Sequence, residues 1–227
     1  MTDPPTTTTP MSDLFASAVH RFGQVWADLV AAAAGMLILA SIPVAAVRLT
    51  GGSLGQTLLV AVFAYAIGYF CLVGFVMLRG LPDRAPLRRV VWTYMTGALI
   101  GILVGALVLP QVLGPLAIVP MPLLLFAVPA IAAGDVRPAG AITRSAALAV
   151  RNIARTWLVW LITIFFSAPI VLAMLLIVSP FADNTTSTVI GLGLATPIVW
   201  PISALFVRAL YGDLTGRAVV APQDRTA

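Results

Sequence analysis

The chain has 227 residues, 60% of them hydrophobic and only 9% charged, with a formal net charge of +5. Soluble domains carry about 25% charged residues, so a fold surrounded by water is excluded. The length leaves room for about six membrane spans and none for a separate soluble catalytic domain.

All 13 basic residues are Arg and all 8 acidic residues are Asp. This reads as a compositional bias of the whole chain. Its consequence is that every fixed cation is a planar fork suited to phosphate. The arginines border apolar runs, so the positive balance points to membrane orientation and anionic lipid, with no nucleic-acid partner. Leu54–Leu78, Val90–Gly134, Thr156–Ala182 and Asn184–Val207 carry no charge at all, and about 20 apolar residues suffice to cross the hydrocarbon core of a bilayer. The single cysteine, Cys71, lies inside one of these runs and cannot form an intrachain disulfide.

In chain order, residues 1–11 hold three prolines and the Thr6–Thr9 run and predict a disordered N-terminus without a cleavable signal peptide. Residues 12–25 predict an amphipathic interfacial helix capped by Ser12, with Phe15, Val19, Phe22 and Trp26 at helical spacing. Span 1 is expected over 26–47, ending at Arg48 and Gly51-Gly52, and span 2 over 54–78. The basic segment Arg79, Asp83, Arg84, Arg88 and Arg89 follows, then span 3 over 90–109. A turn at Pro110–Pro115 leads into span 4 over 115–134, whose prolines 115, 120, 122 and 129 predict a kinked or irregular helix.

Residues 138–155 predict a second amphipathic helix. Ile142, Ala146, Ala149, Val150 and Ile153 make one face and Arg144, Arg151, Asn152 and Arg155 the other. Span 5 is expected over 156–179, a polar turn at Asp183, span 6 over 189–210, and a flexible tail over 218–227. Six spans put both termini on one side with twelve arginines, against Arg48 alone on the other, which predicts both termini in the cytoplasm and a multi-pass protein of the plasma membrane. Trp26, Trp92 and Trp157 open spans at similar intervals, which interfacial tryptophans explain without an internal repeat.

Motifs for chemistry are sparse. Gly51-Gly52-Ser53-Leu54-Gly55 fits the Gly-x-Ser-x-Gly spacing of serine hydrolases, but that chemistry needs a histidine base, and the only one, His20, is expected on the opposite membrane face. Ser53 is better read as a helix cap. One His, one Cys and no Glu cannot supply a usual zinc site, so neither a metal nor another cofactor is expected. Asp135, Asp213 and Arg217 are expected to form structural salt bridges, Asp213 and Arg217 being spaced one helical turn apart. Gly97, Gly101 and Gly105 form a small-residue strip for close helix packing. Arg84, Arg88, Arg89, Arg144, Arg151 and Arg155 are candidate contacts to anionic lipid head groups.

The second half resembles the six-span membrane-domain family named after glycerophosphoryl diester phosphodiesterase. The likeness rests on Pro129-Ala-Ile-Ala-Ala-Gly-Asp135, Ala141-Ile142-Thr143-Arg144-Ser145, Arg151-Asn152 and Ala209-Leu210-Tyr211-Gly212-Asp213-Leu214. Asp135 stands where members often carry Glu. The resemblance implies a fold and a membrane location; the phosphodiesterase activity belongs to a separate soluble domain, which is not expected here. Together these readings predict an all-α polytopic membrane protein with six spans and two cytoplasmic interfacial helices. The expected function is non-enzymatic: membrane organisation, lipid contact, or binding of a membrane-protein partner or second copy. A small transporter or permease component with proline-broken helices is the alternative.

Overall fold

The computed structural model describes residues 9–81, 85–108, 121–180 and 184–216. Among them every regular element is helical. They are α1 (Met11–Leu49), α2 (Leu54–Arg79), α3 (Leu87–Val108), α4 (Met121–Leu124), α5 (Ala127–Ala132), α6 (Ala141–Arg151), α7 (Ile153–Val178) and α8 (Asn184–Leu214). Five of these, α1, α2, α3, α7 and α8, are long and apolar enough to cross a membrane. Arg84, Arg217, Asp83, Asp183, the turn at 110–115 and the tail lie outside the described residues.

Local chemistry explains most element ends. Ser53 closes a capping box with Gln56: its hydroxyl accepts the Gln56 N–H and the Gln56 amide oxygen accepts the Ser53 N–H. Gly51, with φ 79°, makes the left-handed turn between α1 and α2 that other residues enter reluctantly. α1 starts one residue before the expected cap: the Pro10 carbonyl accepts the first helical N–H groups, and Ser12 turns its hydroxyl to Asp13. Val25 departs from helical geometry (φ −126°, ψ 21°), so α1 bends where the lead-in meets the expected first span.

That lead-in does not lie with Phe15, Val19, Phe22 and Trp26 on one buried face. Its seam is Leu14, Ala18, Phe22, Val25 and Leu29, while Val19 and Trp26 are exposed. Small Ala18 lets α1 press against α8, and Phe15 packs edge-on against Phe166 and Phe206 with ring centroids 5.4 Å apart. A helix held this way dips into the bundle.

The expected fourth span differs most. Its described part is two short helices, α4 and α5, separated at Leu125-Phe126, and Ala127 to Ala132 are all buried. A break at such depth is tolerated only if the freed backbone groups are met by protein. Ser145 of α6 meets two of them: its hydroxyl accepts the Phe126 N–H at 3.0 Å and donates to the Leu123 carbonyl at 2.5 Å. The chain emerges through Gly134 (φ 80°) to Asp135.

Candidate functional sites at the arginine-bearing end and inside the bundle

The α-helical period sorts the side chains of α6 into three strips. Ala141, Ser145, Leu148 and Ala149 are buried against α4 and α5. Ile142, Val150 and, just beyond the helix, Ile153 are exposed along one edge; Arg144 and Arg151 are exposed along the other. The apolar face foreseen from the sequence therefore divides, Ala149 turning inward and Ile142, Val150 and Ile153 outward.

Arg155 belongs to α7 and points elsewhere. Its Nη1 donates to Asp213 Oδ2 at 2.7 Å and its Nη2 to the Thr9 carbonyl at 2.8 Å. The Thr9 hydroxyl donates to the other Asp213 oxygen at 2.5 Å. Both charged side chains are largely covered, 18% and 13% exposed. Arg155 is thus taken up inside the protein, and Asp213 pairs with it among the described residues; the expected partner Arg217 lies outside them. This cluster ties the start of the chain to the ends of α7 and α8, and it places the beginning of α1 and the end of α8 at one end of the bundle.

Other arginines at this end serve helix ends. Arg208 donates to the Val76 and Gly80 carbonyls at 3.3 and 3.1 Å, a cation on the negative end of α2. Its guanidinium occupies the space a Cβ on Gly80 would need. Arg89 lies against Gly134, 3.0 Å from where its Cβ would be. Arg88 is exposed, and Arg79 pairs with Asp28 on the surface. Asp135 accepts a hydrogen bond from the buried Tyr211 hydroxyl.

Gly97, Gly101 and Gly105 face α2 within the same chain. A Cβ on Gly101 would sit 2.5 Å from the Ile67 backbone, and one on Gly97 3.1 Å from the Phe70 carbonyl oxygen. The strip is filled by the monomer itself.

Deeper in the bundle lies a cavity of about 290 Å³ between α2, α3, the α4–α5 break, α7 and α8. Trp160, Trp200, Tyr69 and Phe70 give it aromatic walls, Leu125 and Val104 aliphatic ones. Its hydroxyls are those of Tyr69 and Ser203, hydrogen-bonded to each other at 2.7 Å, and of Thr163. No charged side chain lines it.

Ser53 caps α2 at the far end of the bundle from His20, which bonds Gln24 on its own helix at 3.1 Å. Among the described residues no three His, Cys, Asp or Glu side chains converge. Sequence reasoning missed Thr9, Ser145, Arg208 and the Tyr69–Ser203 pair. Only Arg208 carried a signal, as a charge inside a hydrophobic helix, where an ionisable side chain marks a special role.

No family model, curated protein or solved structure matches the chain.

Proposed function

We propose that this is a non-catalytic integral membrane protein of the plasma membrane. Both termini lie in the cytoplasm, and the cytoplasmic surface contacts anionic lipid or a membrane-protein partner. The carrying observation is α6: a helix with one strip in the core exposes an apolar edge (Ile142, Val150) and a cationic edge (Arg144, Arg151). An interfacial helix needs just this pair of edges, one for acyl chains and one for phosphates. An Arg near an anionic surface gains about 1 kcal/mol. The apolar α4–α5 segment belongs to the sixth crossing in this reading. The resemblance of the second half to the six-span membrane-domain family supports this membrane-embedded role and brings no activity with it. Native mass spectrometry of gently extracted protein tests it. Retained anionic lipid, reduced in Arg144→Ala/Arg151→Ala, is the expected result; turnover of a substrate by the pure protein would overturn the non-catalytic reading.

The alternative, a small transporter component, is favoured by the broken α4–α5 segment beside a cavity. Its test places a reporter at Ser203→Cys in a Cys71→Ser background. Labelling by membrane-impermeant thiol reagents from each face in turn would favour transport; protection from both faces would count against it.

A further inference from the structure

The cavity has a chemical bias that the α6 reading does not use. Tyr69 and Ser203 have two hydroxyl protons between them, and their mutual hydrogen bond consumes one. The second proton has no acceptor among the described residues, and neither does that of Thr163. These are spare donors and not orphaned buried groups, set in a lining that is otherwise mostly apolar, where a hydrogen bond is stronger than in water. Water is a poor occupant of a mainly hydrocarbon-walled space. The molecule such a lining suits is uncharged and brings acceptor oxygens.

Size and walls narrow the class. An apolar cavity of about 150 Å³ holds a benzene ring; this one, at about 290 Å³, takes a substituted or fused ring with the beginning of a tail. It is too small for a whole phospholipid. Tyr69 lies ten residues before Arg79 on α2, about 15 Å along the helix axis, well below the level of phospholipid head groups. The molecule must therefore dissolve in the bilayer interior. Trp160, Trp200, Tyr69 and Phe70 offer edges and faces to a flat ring.

We propose that the cavity between α2, α3, α7 and α8 binds a lipid-soluble carbonyl-bearing ring of the quinone type, with the one spare proton of the Tyr69–Ser203 pair and that of Thr163 donating to its oxygens and the aromatic side chains holding its plane. This goes beyond the interfacial lipid contact and stands or falls separately from it.

Quinones quench tryptophan emission, and two of the chain's five tryptophans line the cavity. The test is a titration of the whole protein, in zwitterionic phosphatidylcholine vesicles, with a decyl-substituted benzoquinone. Binding predicts a saturable component of quenching that disappears in Trp160→Phe/Trp200→Phe. Tyr69→Phe/Ser203→Ala keeps the aromatic walls and the space and is expected to weaken binding roughly tenfold. Should that double variant misfold, Thr163→Val, which removes a hydroxyl proton that no hydrogen bond among the described residues uses, is expected to weaken binding in the same direction. Decylbenzene, which has the ring and tail without carbonyls, is expected not to displace the probe. Quenching that is linear and equal in all variants overturns the proposal. So does displacement by a fatty-acid methyl ester at equal concentration, which would assign the cavity to acyl chains. Zwitterionic vesicles keep the outcome independent of whether Arg144 and Arg151 grip anionic lipid.

Discussion

α3 and α7 are both apolar helices of membrane length, yet they meet the rest of the protein in opposite ways. α3 turns three glycines onto α2, and the two backbones come so close that Gly101 has no room for a methyl group. α7 leaves most of its length exposed, packs chiefly against α8, and has the cavity on its inner side near Val159, Trp160 and Thr163. In a bilayer apolar side chains gain little from leaving lipid, so helices associate through close packing of small residues and through hydrogen bonds. The α2–α3 side uses the first device thoroughly. The α7 side has a polar fastening at its first turn, Arg155 to Asp213, and leaves space beyond it at Val159, Trp160 and Thr163.

The sharpest way to break this contrast is Gly101→Leu. The backbone of Ile67 cannot yield, so a loss of about 3 kcal/mol or more is expected, read as a lower thermal midpoint in detergent. Gly35→Ala, where nothing lies within 4 Å, is expected to be neutral or to stabilise by up to about 1 kcal/mol. Next in size is Ser145→Ala, which strands the Phe126 N–H and the Leu123 carbonyl in the interior. Each unmet buried group costs about 1–3 kcal/mol, so about 2–3 kcal/mol in the same melt is expected after partial relaxation. Asp213→Asn weakens the charge-assisted bonds to Arg155 and Thr9; about 1–2 kcal/mol is expected. Faster proteolytic clipping near Pro10 should accompany it, because the strap across the ends of α7 and α8 is loosened. On the α7 side, Ala66→Val adds volume toward the cavity and is expected to change stability by less than about 1 kcal/mol, unlike any addition at Gly101. Smallest is Asp28→Asn. The Asp28–Arg79 pair is about half exposed, and such surface pairs contribute less than about 1 kcal/mol.

The long helices were legible because charge exclusion over membrane length has one physical meaning. α2, α3, α7 and α8 begin and end within a few residues of the expected limits. The glycine strip was also legible, since its spacing selects one face of a helix, although its partner helix was not. The break in the fourth segment was signalled by prolines 120, 122 and 129 but could not be placed, because it depends on Ser145, which lies about twenty residues away in sequence and is unremarkable there. The pairing of Asp213 with Arg155 was not legible for a similar reason: i,i+4 spacing points to Arg217 on the same helix, while Arg155 arrives from another. The packed seam of α1 was not legible because several apolar faces are available on it, and only contact with α8 and α7 selects one.

The position of α6 at the boundary between lipid and water is the central claim. Spin labels at Val150→Cys and Arg144→Cys, each in a Cys71→Ser background, measure this directly through their relative accessibility to oxygen and to a water-soluble nickel complex. The account predicts that the label at 150 favours oxygen, that the label at 144 favours nickel, and that nickel confined to the cytoplasmic side reaches the latter. Equal nickel access at both positions, or access to 144 only from the opposite side, would contradict it.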